Sequence, residues 1–449
     1  NKCKNIILTI ASLVFYAFGQ IQYLPLLLFS VFCNYLFGLL LSENTSHKKR
    51  KYIIILALFI NIALLCVFKY TDFFIVCLNS ILHTNIPITG ITLPIGISFF
   101  TFQGISYVVD VYRNQKEGSK DFLKVLLYIS FFPQLIAGPI IKYHDISMQI
   151  DNRVCTLKQT AEGFRRFIVG LSKKLLLSNT MGLLADSVFA LSETELDIRI
   201  AWLGAVCYVF QIYFDFSAYS DMAIGLGKVF GFHFKENFNY PYIADSVTEF
   251  WRRWHISLSS FFRDYVYIPL GGNRRGQKRT ILNLLIVWAL TGLWHGAYWN
   301  FVLWGLFYYV FLVIEKIGLL EKLQSLPAAV GHIYTLVVVY FGWILFKFSD
   351  MAYLGHTLKG MFGLNGNGFS SLEIRLVFEN NMFFIAASII ACTPLLKLVY
   401  RKCARMASQA AAVKWLCNVI EVAGPVALIL LATMALVGNS YNPFLYFQF

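Results

Sequence analysis

Apolar residues form long runs along this chain, separated by short polar or basic segments. A helix that crosses a membrane needs about 20 mainly apolar residues, so the shorter runs are expected to be tilted, broken or re-entrant. We predict an all-α integral membrane protein, a ring of about ten to twelve transmembrane helices with re-entrant and interfacial pieces. The runs that supply them are 5–19, 23–42, 52–69, 71–83, 91–109, 122–140, 164–180, 198–214, 218–232, 281–293, 297–317, 331–348, 379–399 and 418–438.

Three of the connecting segments are rich in Lys and Arg, namely 48–51, 274–279 and 401–414. Such segments stay on the cytoplasmic side of a membrane protein, so we place all three in the cytoplasm. The last apolar run, 418–438, then leads outward, and the aromatic tail 439–449 is expected at the outer face.

The segment 235–280 combines many charged side chains with many aromatic ones. Ionised groups are too costly at the bilayer centre for this segment to span, and it is too aromatic for an ordinary soluble loop. We predict amphipathic helices that lie at the cytoplasmic interface or dip into a polar cavity.

Composition agrees with a membrane protein, since 58% of the residues are hydrophobic and 14% are charged. The net charge of +14 follows from the basic cytoplasmic loops, with attraction to anionic lipid as a general consequence. No nucleic-acid-binding module is recognisable, so nucleic acid is not a predicted partner. The nine cysteines contain no CxxC pair, and no metal site is predicted. Without a linker or internal repeat, residues 1–449 are interpreted as a single domain.

His295 is the strongest candidate for chemistry, because it lies between the apolar runs 281–293 and 297–317. An ionisable residue in such a setting is by default a functional hypothesis. Imidazole suits proton transfer near neutral pH, and the flanking Gly292 and Gly296 allow close approach to it. The structural alternative is a histidine bonded to a backbone carbonyl.

His255 lies in the sequence Glu-Phe-Trp-Arg-Arg-Trp-His (249–255). Arg252 and Arg253 next to it could bind the phosphates of a nucleotide-bearing donor, because guanidinium groups suit phosphate geometry. An interfacial aromatic belt with arginines reaching toward water would produce the same pattern. The residues alone leave both readings open.

Asp215, Ser217, Ser220 and Asp221 lie close together within an apolar run. Buried carboxylates need partners, so these residues either line a polar tunnel or pair with arginines that hold the fold. Asp110 is expected to be structural in the same way and to pair locally with Arg113.

Several enzyme classes are disfavoured by missing motifs. The chain has no GxSxG elbow, no HExxH motif and no Walker A Lys-Ser/Thr, and no histidine is followed by Asp five positions later.

Taken together, the motifs resemble the alginate O-acetyltransferase branch of the membrane-bound O-acyltransferases. The segments that carry the resemblance are EFWRRWHISLSSFFRDYVYIPLGGNRRG (249–276), TGLWHGAYWNFVLWG (291–305), PIGISFFTFQGISYVVDVYR (94–113), FFPQLIAGPI (131–140) and QIYFDFSAYSDMAIGLG (211–227). The resemblance implies helices around a pinched central tunnel, with His295 as the catalytic residue and His255 accompanying it.

The resemblance also implies the substrates. No cofactor is expected to be bound, and the co-substrate is acetyl-CoA or another acyl thioester from the cytoplasm, in the bacterial cytoplasmic membrane. Its acyl group is expected to go to a cell-surface or secreted polysaccharide, with a secreted or membrane-anchored SGNH-type acetyltransferase as partner. Donor-binding residues are then Arg252, Arg253, Trp254, Arg274 and Arg275, and Asp215, Ser217, Trp294 and Asn283 are expected to line the tunnel.

The tail offers one further hypothesis. Four of its last six residues are aromatic, whereas chain termini are usually polar and frayed. It resembles the C-terminal aromatic motif of the small partner protein in teichoic acid D-alanylation, which implies that Tyr446 relays the acyl group; the alternative is an interfacial anchor.

Two other functions compete with this reading. D-alanyl transfer toward teichoic acid belongs to a related branch of the same family. A non-enzymatic transporter or flippase would also explain the composition, although no internal repeat supports it.

Overall fold

The structure is a computed structural model that describes residues 2–43, 46–369, 372–406, 410–438 and 444–445, with only the backbone described for 372–375. Regular structure in this part of the chain is helical, and no strand occurs in it. Seven helical stretches of the described residues are long and apolar enough to cross a membrane. An eighth results if the helices Leu376–Ala391 and Leu395–Met406, bent by 67°, count as one broken span.

The first part of the fold consists of long helices followed by short ones. Its helices are α1 (Lys2–Gln20), α2 (Leu24–Ser42), α3 (His47–Leu82), α4 (Ile97–Arg113), α5 (Phe122–Ser130), α6 (Phe132–Leu135) and α7 (Tyr143–Asn152). Ser46 caps α3 by accepting from the N–H of Lys49, and no Pro or Gly interrupts the helix until it ends.

The middle part contains the most buried long helix. Its helices are α8 (Leu157–Ser172), α9 (Asn179–Phe189), α10 (Ile198–Val229), α11 (Val247–Arg253) and α12 (Ile256–Phe262). A wide π-helical turn, Lys173–Ser178, joins α8 to α9. Helices α8 and α10 approach closely, since a Cβ added to Gly163 would lie 2.6 Å from the carbonyl oxygen of Gly225.

The last part is α13 (Gln277–His295), α14 (Trp299–Ile314), α15 (Leu320–Ser325), α16 (Ala328–Lys347), α17 (Met351–Met361), α18 (Leu372–Ala391), α19 (Leu395–Met406) and α20 (Ala411–Gly438). Glycines also bring α13 and α14 together, because a Cβ on Gly292 would lie 2.4 Å from the carbonyl oxygen of Phe301.

Among the described residues, the seven or eight candidate spans are fewer than the ten to twelve crossings expected, because several apolar runs share one helix. Runs 52–69 and 71–83 both lie in α3, and runs 198–214 and 218–232 both lie in α10. The polar residues between the runs indicated breaks, but a helix continues through polar side chains when its neighbours satisfy them.

The basic segments 48–51 and 274–279 lie at the same end of the molecule, which we call the basic end. Arg50 donates to the carbonyl oxygen of Tyr112, at the end of α4, and Arg113 donates to that of Asp264, in the segment before α13. Lys69 lies 19 residues beyond Arg50 along α3, about 28 Å at 1.5 Å per residue. We call the opposite end of the molecule, toward which Lys69 lies, the far end.

Candidate active site

His295 is the last residue of α13 and lies inside the protein, 6% exposed. The rings of Trp294, Trp304 and Phe346 surround its imidazole edge to face, with centroids 5.0, 4.9 and 5.4 Å away. The chain leaves the helix at Gly296, where a Cβ would lie 2.2 Å from the Phe301 ring. Glycine is therefore required next to His295 for this packing.

His255 is fully buried and takes the left-handed backbone conformation, with φ 42° and ψ 53°, just before α12. That conformation is uncommon for residues other than glycine and persists where surrounding contacts enforce it. Here the N–H of Ile256 donates to the carbonyl oxygen of Asn237, and the N–H of Asn239 donates to that of Arg253.

The side chain of Asn237 fixes the tautomer of His255. Its Oδ1 accepts from the backbone N–H of Ser257 at 3.1 Å, so this atom is the amide oxygen, and it lies 3.2 Å from His255 Nδ1. Nδ1 must then carry a proton to donate, which leaves Nε2 as the accepting nitrogen of the neutral ring. Asn237 Nδ2 in turn donates to Ser220 Oγ at 2.9 Å.

Trp294 contacts both histidine rings. Its ring centroid lies 5.8 Å from that of His255 and 5.0 Å from that of His295. Trp294 therefore links the two imidazoles through ring contacts.

Two cavities approach His295 from the far end. A small one of about 40 Å³ is lined by His295, Trp294 and Lys69 among others. A larger one of about 550 Å³ shares Lys69 and Leu93 with it and includes Gly296 and Ala297. Both cavities lie on the far-end side of His295.

Two larger cavities approach His255 from the basic end. One of about 810 Å³ contains Asn237 and Ser217, and the other, of about 610 Å³, contains Ser257. They share Glu236 and Ile256, the residue after His255. The first is lined by the cations Arg165, Arg166, Lys173, Lys228 and Lys397 and by the carboxylates Glu162, Asp221 and Glu236.

The donor-binding residues predicted from the sequence lie at the basic end but line neither of these cavities. Arg253 is paired with Glu249 at 2.7 Å, and the largely exposed Arg252 lies 3.8 Å from the same carboxylate. Trp254 is packed in the core, with its ring 4.6 Å from that of Trp343. Arg274 and Arg275 are exposed in the loop before α13.

The four residues predicted to line a tunnel have different settings. Trp294 and Ser217 line cavities on opposite sides of the histidines. Asn283 is fully buried and donates to the carbonyl oxygen of Gly272 at 3.1 Å, which ties α13 to the basic loop. Asp215 forms a buried ion pair with Lys174 of the π-helical turn.

The described part of the tail contacts this ion pair. The N–H of Leu445 donates to Asp215 Oδ2 at 2.8 Å, and Lys174 Nζ lies 4.6 Å from the centroid of the Phe444 ring. Phe444 also packs against Tyr219 of α10. The tail thus folds back onto the interior at this point, whereas Tyr446 lies outside the described residues.

Asp110 has other partners than the expected Arg113. Its carboxylate accepts from Tyr265 at 2.8 Å and lies 2.9 Å from His144 Nδ1. Burial is the main cause that raises the pKa of Tyr265, and the negative charge of the Asp110 carboxylate raises it further. The prediction of a local pair was wrong because α4 directs Asp110 toward α7 and the segment after α12.

A second carboxylate, Asp264, lies beside this group. Burial alone would raise the pKa of Asp264, but the hydrogen bonds and charges of Arg263 and Lys142 outweigh it and lower that pKa. Asp264 and Lys142 also line the 610 Å³ cavity.

Sequence reasoning missed Asn237, Lys69 and the cations of the 810 Å³ cavity. Lys69 had a usable signal, since it is a lone basic residue inside an apolar run. No group of three or more His, Cys, Asp or Glu in the described part of the chain could hold a metal ion.

The structure thus defines an α-helical membrane protein with two buried imidazoles, approached by cavities from both ends. The sequence profile of the membrane-bound O-acyltransferase family matches residues 10–355. The chain is 37% identical over 472 residues to the probable alginate O-acetylase of Pseudomonas putida, covering all of this chain and 95% of that protein.

Two further relatives have names that specify other acceptors. The chain is 37% identical over 389 residues to the peptidoglycan O-acetyltransferase of Helicobacter pylori, covering 80% of this chain and 74% of that protein. It is 26% identical over 274 residues to the teichoic acid D-alanyltransferase of Bacillus subtilis, covering 57% and 67% respectively.

This protein belongs to the membrane-bound O-acyltransferase family. It is a multi-pass membrane O-acyltransferase, which confirms the family, the all-α membrane fold and the enzyme class that the motifs predicted.

Proposed function

We propose that this protein is an O-acetyltransferase of the bacterial cytoplasmic membrane that acetylates a cell-surface or secreted polysaccharide. The observation that carries the proposal is the placement of His255 and His295 between cavities from opposite ends. The relatives named for alginate and peptidoglycan O-acetylation cover more of the chain than the D-alanyltransferase does, which favours acetyl transfer.

The donor is proposed to be acetyl-CoA, entering from the basic end, which the positive-inside rule makes cytoplasmic. The 810 Å³ cavity carries five cations and three carboxylates, an excess of two positive charges suited to a polyphosphate. From there the thioester reaches the histidines past Ser217 and Asn237.

His295 is proposed to act as the general base. It accepts the proton of an acceptor hydroxyl as the oxygen attacks the thioester carbon, and the C–S bond then breaks. The departing thiolate takes the proton from the imidazolium, so the ring returns to its neutral state. His255, with Nε2 as its accepting nitrogen, is proposed as a second proton-accepting site.

The far-end cavities are proposed as the acceptor side, where a hydroxyl group approaches His295. This hydroxyl belongs either to the polysaccharide or to a secreted SGNH-type partner that carries the acetyl group onward. Burial of both imidazoles inside the protein limits the access of water to the thioester.

Acetyl transfer from labelled acetyl-CoA by the purified protein in lipid nanodiscs tests the proposal. His295→Ala is expected to reduce the rate about 10²- to 10⁴-fold, the typical contribution of a general base. His356→Ala is the matched control, because that ring is about half exposed and lies beside Glu193. Equal activity of the two variants would contradict the role of His295, and transfer of D-alanine but not acetyl by the wild type would contradict the donor.

A further inference from the structure

Lys69 is a lysine in the apolar helix α3, and its ammonium points at the end of α13. Nζ donates to the carbonyl oxygen of Trp294, the residue before His295, at 2.6 Å and to Ser98 Oγ at 3.3 Å. Among the described residues no Asp or Glu forms an ion pair with it. An ammonium has three donor hydrogens, so one remains for another acceptor.

The position of Lys69 relative to the cavities shows where that acceptor would lie. Lys69 lines both far-end cavities, and it shares the smaller one with His295. It is the only Lys or Arg among the described residues that line either cavity. The other charged side chain there, Asp72, accepts from Thr89 and from the N–H of Gly90, which holds the adjacent loop.

A hydrogen-bond donor beside the general base has a specific use in acyl transfer. Attack of a hydroxyl on a thioester places negative charge on the carbonyl oxygen, and donors fixed in advance around that oxygen stabilise the transition state. We propose that Lys69 is a catalytic residue that donates to this oxyanion in the small cavity. This inference rests on the proposed function, since it supplies the reaction assigned there with its oxyanion donor.

The reaction remains balanced with Lys69 in this role. The acceptor O–H proton passes to His295, the new C–O bond forms, and the carbonyl electrons move to the oxygen that Lys69 holds. When the carbonyl re-forms, the C–S bond breaks and the thiolate takes the proton from His295. Lys69 donates a hydrogen bond to this oxygen and transfers no proton.

The size of the small cavity agrees with a short acyl group. About 40 Å³ of space exceeds the roughly 10–15 Å³ that one water needs, but only by about threefold. We therefore expect the small cavity to hold a group of a few non-hydrogen atoms, such as an acetyl carbonyl.

A purely structural role for Lys69 would be to hold the end of α13. Tyr70 provides the matched control, because its hydroxyl donates to the carbonyl oxygen of Leu293 at 2.6 Å on the same helix end. Tyr70 lines neither far-end cavity. If both side chains only hold the helix, then Lys69→Met and Tyr70→Phe should have similar effects.

The experiment compares wild type, Lys69→Met, Lys69→Arg and Tyr70→Phe in nanodiscs, with acetyl-CoA and a D-alanyl carrier-protein thioester supplied in parallel. Two rates are measured: transfer to a polysaccharide acceptor and hydrolysis of the donor by water. We expect Lys69→Met to reduce kcat for both rates about 10²- to 10³-fold, as for loss of an oxyanion donor. The donor KM and the melting temperature should change little, Lys69→Arg should recover part of the activity, and Tyr70→Phe should remain close to wild type.

Three results would overturn the inference: activity of Lys69→Met within threefold of wild type, equal loss in Tyr70→Phe, or loss of polymer transfer with hydrolysis unchanged. The last would make Lys69 a binding group for an anionic acceptor. His295→Ala in the same series separates this inference from the proposed function. If His295→Ala is inactive and Lys69→Met is active, the role of Lys69 is contradicted and the proposed function stands. If the wild type uses only the D-alanyl donor, acetyl-CoA is ruled out as the donor, and the same variants still test Lys69 with the D-alanyl thioester.

Discussion

Asn237 Oδ1 lies 3.2 Å from His255 Nδ1, and this contact determines which nitrogen of the buried imidazole can accept a proton. Asn237 comes from the segment before α11, 18 residues earlier in the chain. A side chain in a connecting segment therefore sets the chemistry of a histidine inside the protein.

Replacing Asn237 with Leu should lower kcat about 10- to 100-fold, because His255 loses the acceptor that fixes its tautomer. Ser220→Ala is the control, since it removes only the partner of Asn237 Nδ2. Acetyl transfer and the melting temperature are measured for both. A fall in melting temperature with unchanged kcat in the folded fraction would show that Asn237 serves the fold alone.

Two positions test where the donor phosphates bind. Arg165 and Lys397 line the 810 Å³ cavity, and their replacement with Ala should raise the donor KM about tenfold each, as expected for a lost hydrogen bond to a charged group. The change in kcat should be smaller, because such contacts bind ground and transition states alike.

Arg252→Ala and Arg274→Ala are the comparison, since the sequence alone places the donor there. A larger KM effect from this pair than from Arg165 and Lys397 would favour the sequence-based assignment and argue against the cavity.

The buried ion pair between Asp215 and Lys174 gives a prediction about stability. Asp215→Asn removes the charge opposite a buried ammonium and should destabilise the protein by about 3–5 kcal/mol. The double variant Asp215→Leu, Lys174→Met should regain much of this, because no unpaired charge remains. Thermal unfolding in detergent measures both.

Lys124→Met serves as the control near the surface, since its pair with Asp151 is partly exposed and should contribute about 0–1 kcal/mol. A double variant that is stable but inactive would show that Asp215 or Lys174 belongs to the reaction path.

Tyr446→Phe separates the acyl relay from the anchor, because it keeps the ring and removes the hydroxyl. A relay should lose all transfer to polymer, whereas an anchor should tolerate the change. Mass spectrometry of the tail peptide after incubation with labelled donor should detect acetyl on Tyr446. An unmodified peptide together with a fully active variant would rule the relay out.

The sequence predicted the class of the fold and the two histidines because those signals are local. Apolar runs reveal membrane helices, and the segments around His255 and His295 are distinctive in themselves. How the apolar runs divide into helices was less predictable, since Lys69 and Asp72 interrupt the apolar pattern of α3 without ending the helix.

The partners of the site were not predictable because they are remote in sequence. Asp110 meets Tyr265, 155 residues away, rather than Arg113 on its own helix. Lys69 meets the carbonyl oxygen of Trp294, 225 residues away. Such contacts depend on how the helices pack, which the periodicity of a single chain does not reveal.

The left-handed backbone at His255 has a practical consequence for chemical rescue. Glycine is the residue that adopts this conformation at least cost, so His255→Gly should relieve local strain while leaving an imidazole-sized hole against the Phe216 ring, 4.5 Å away. Free imidazole added to that variant has a preformed place to bind, with Asn237 Oδ1 ready to accept its N–H. His255 is therefore a position where a diffusible base can replace a side chain.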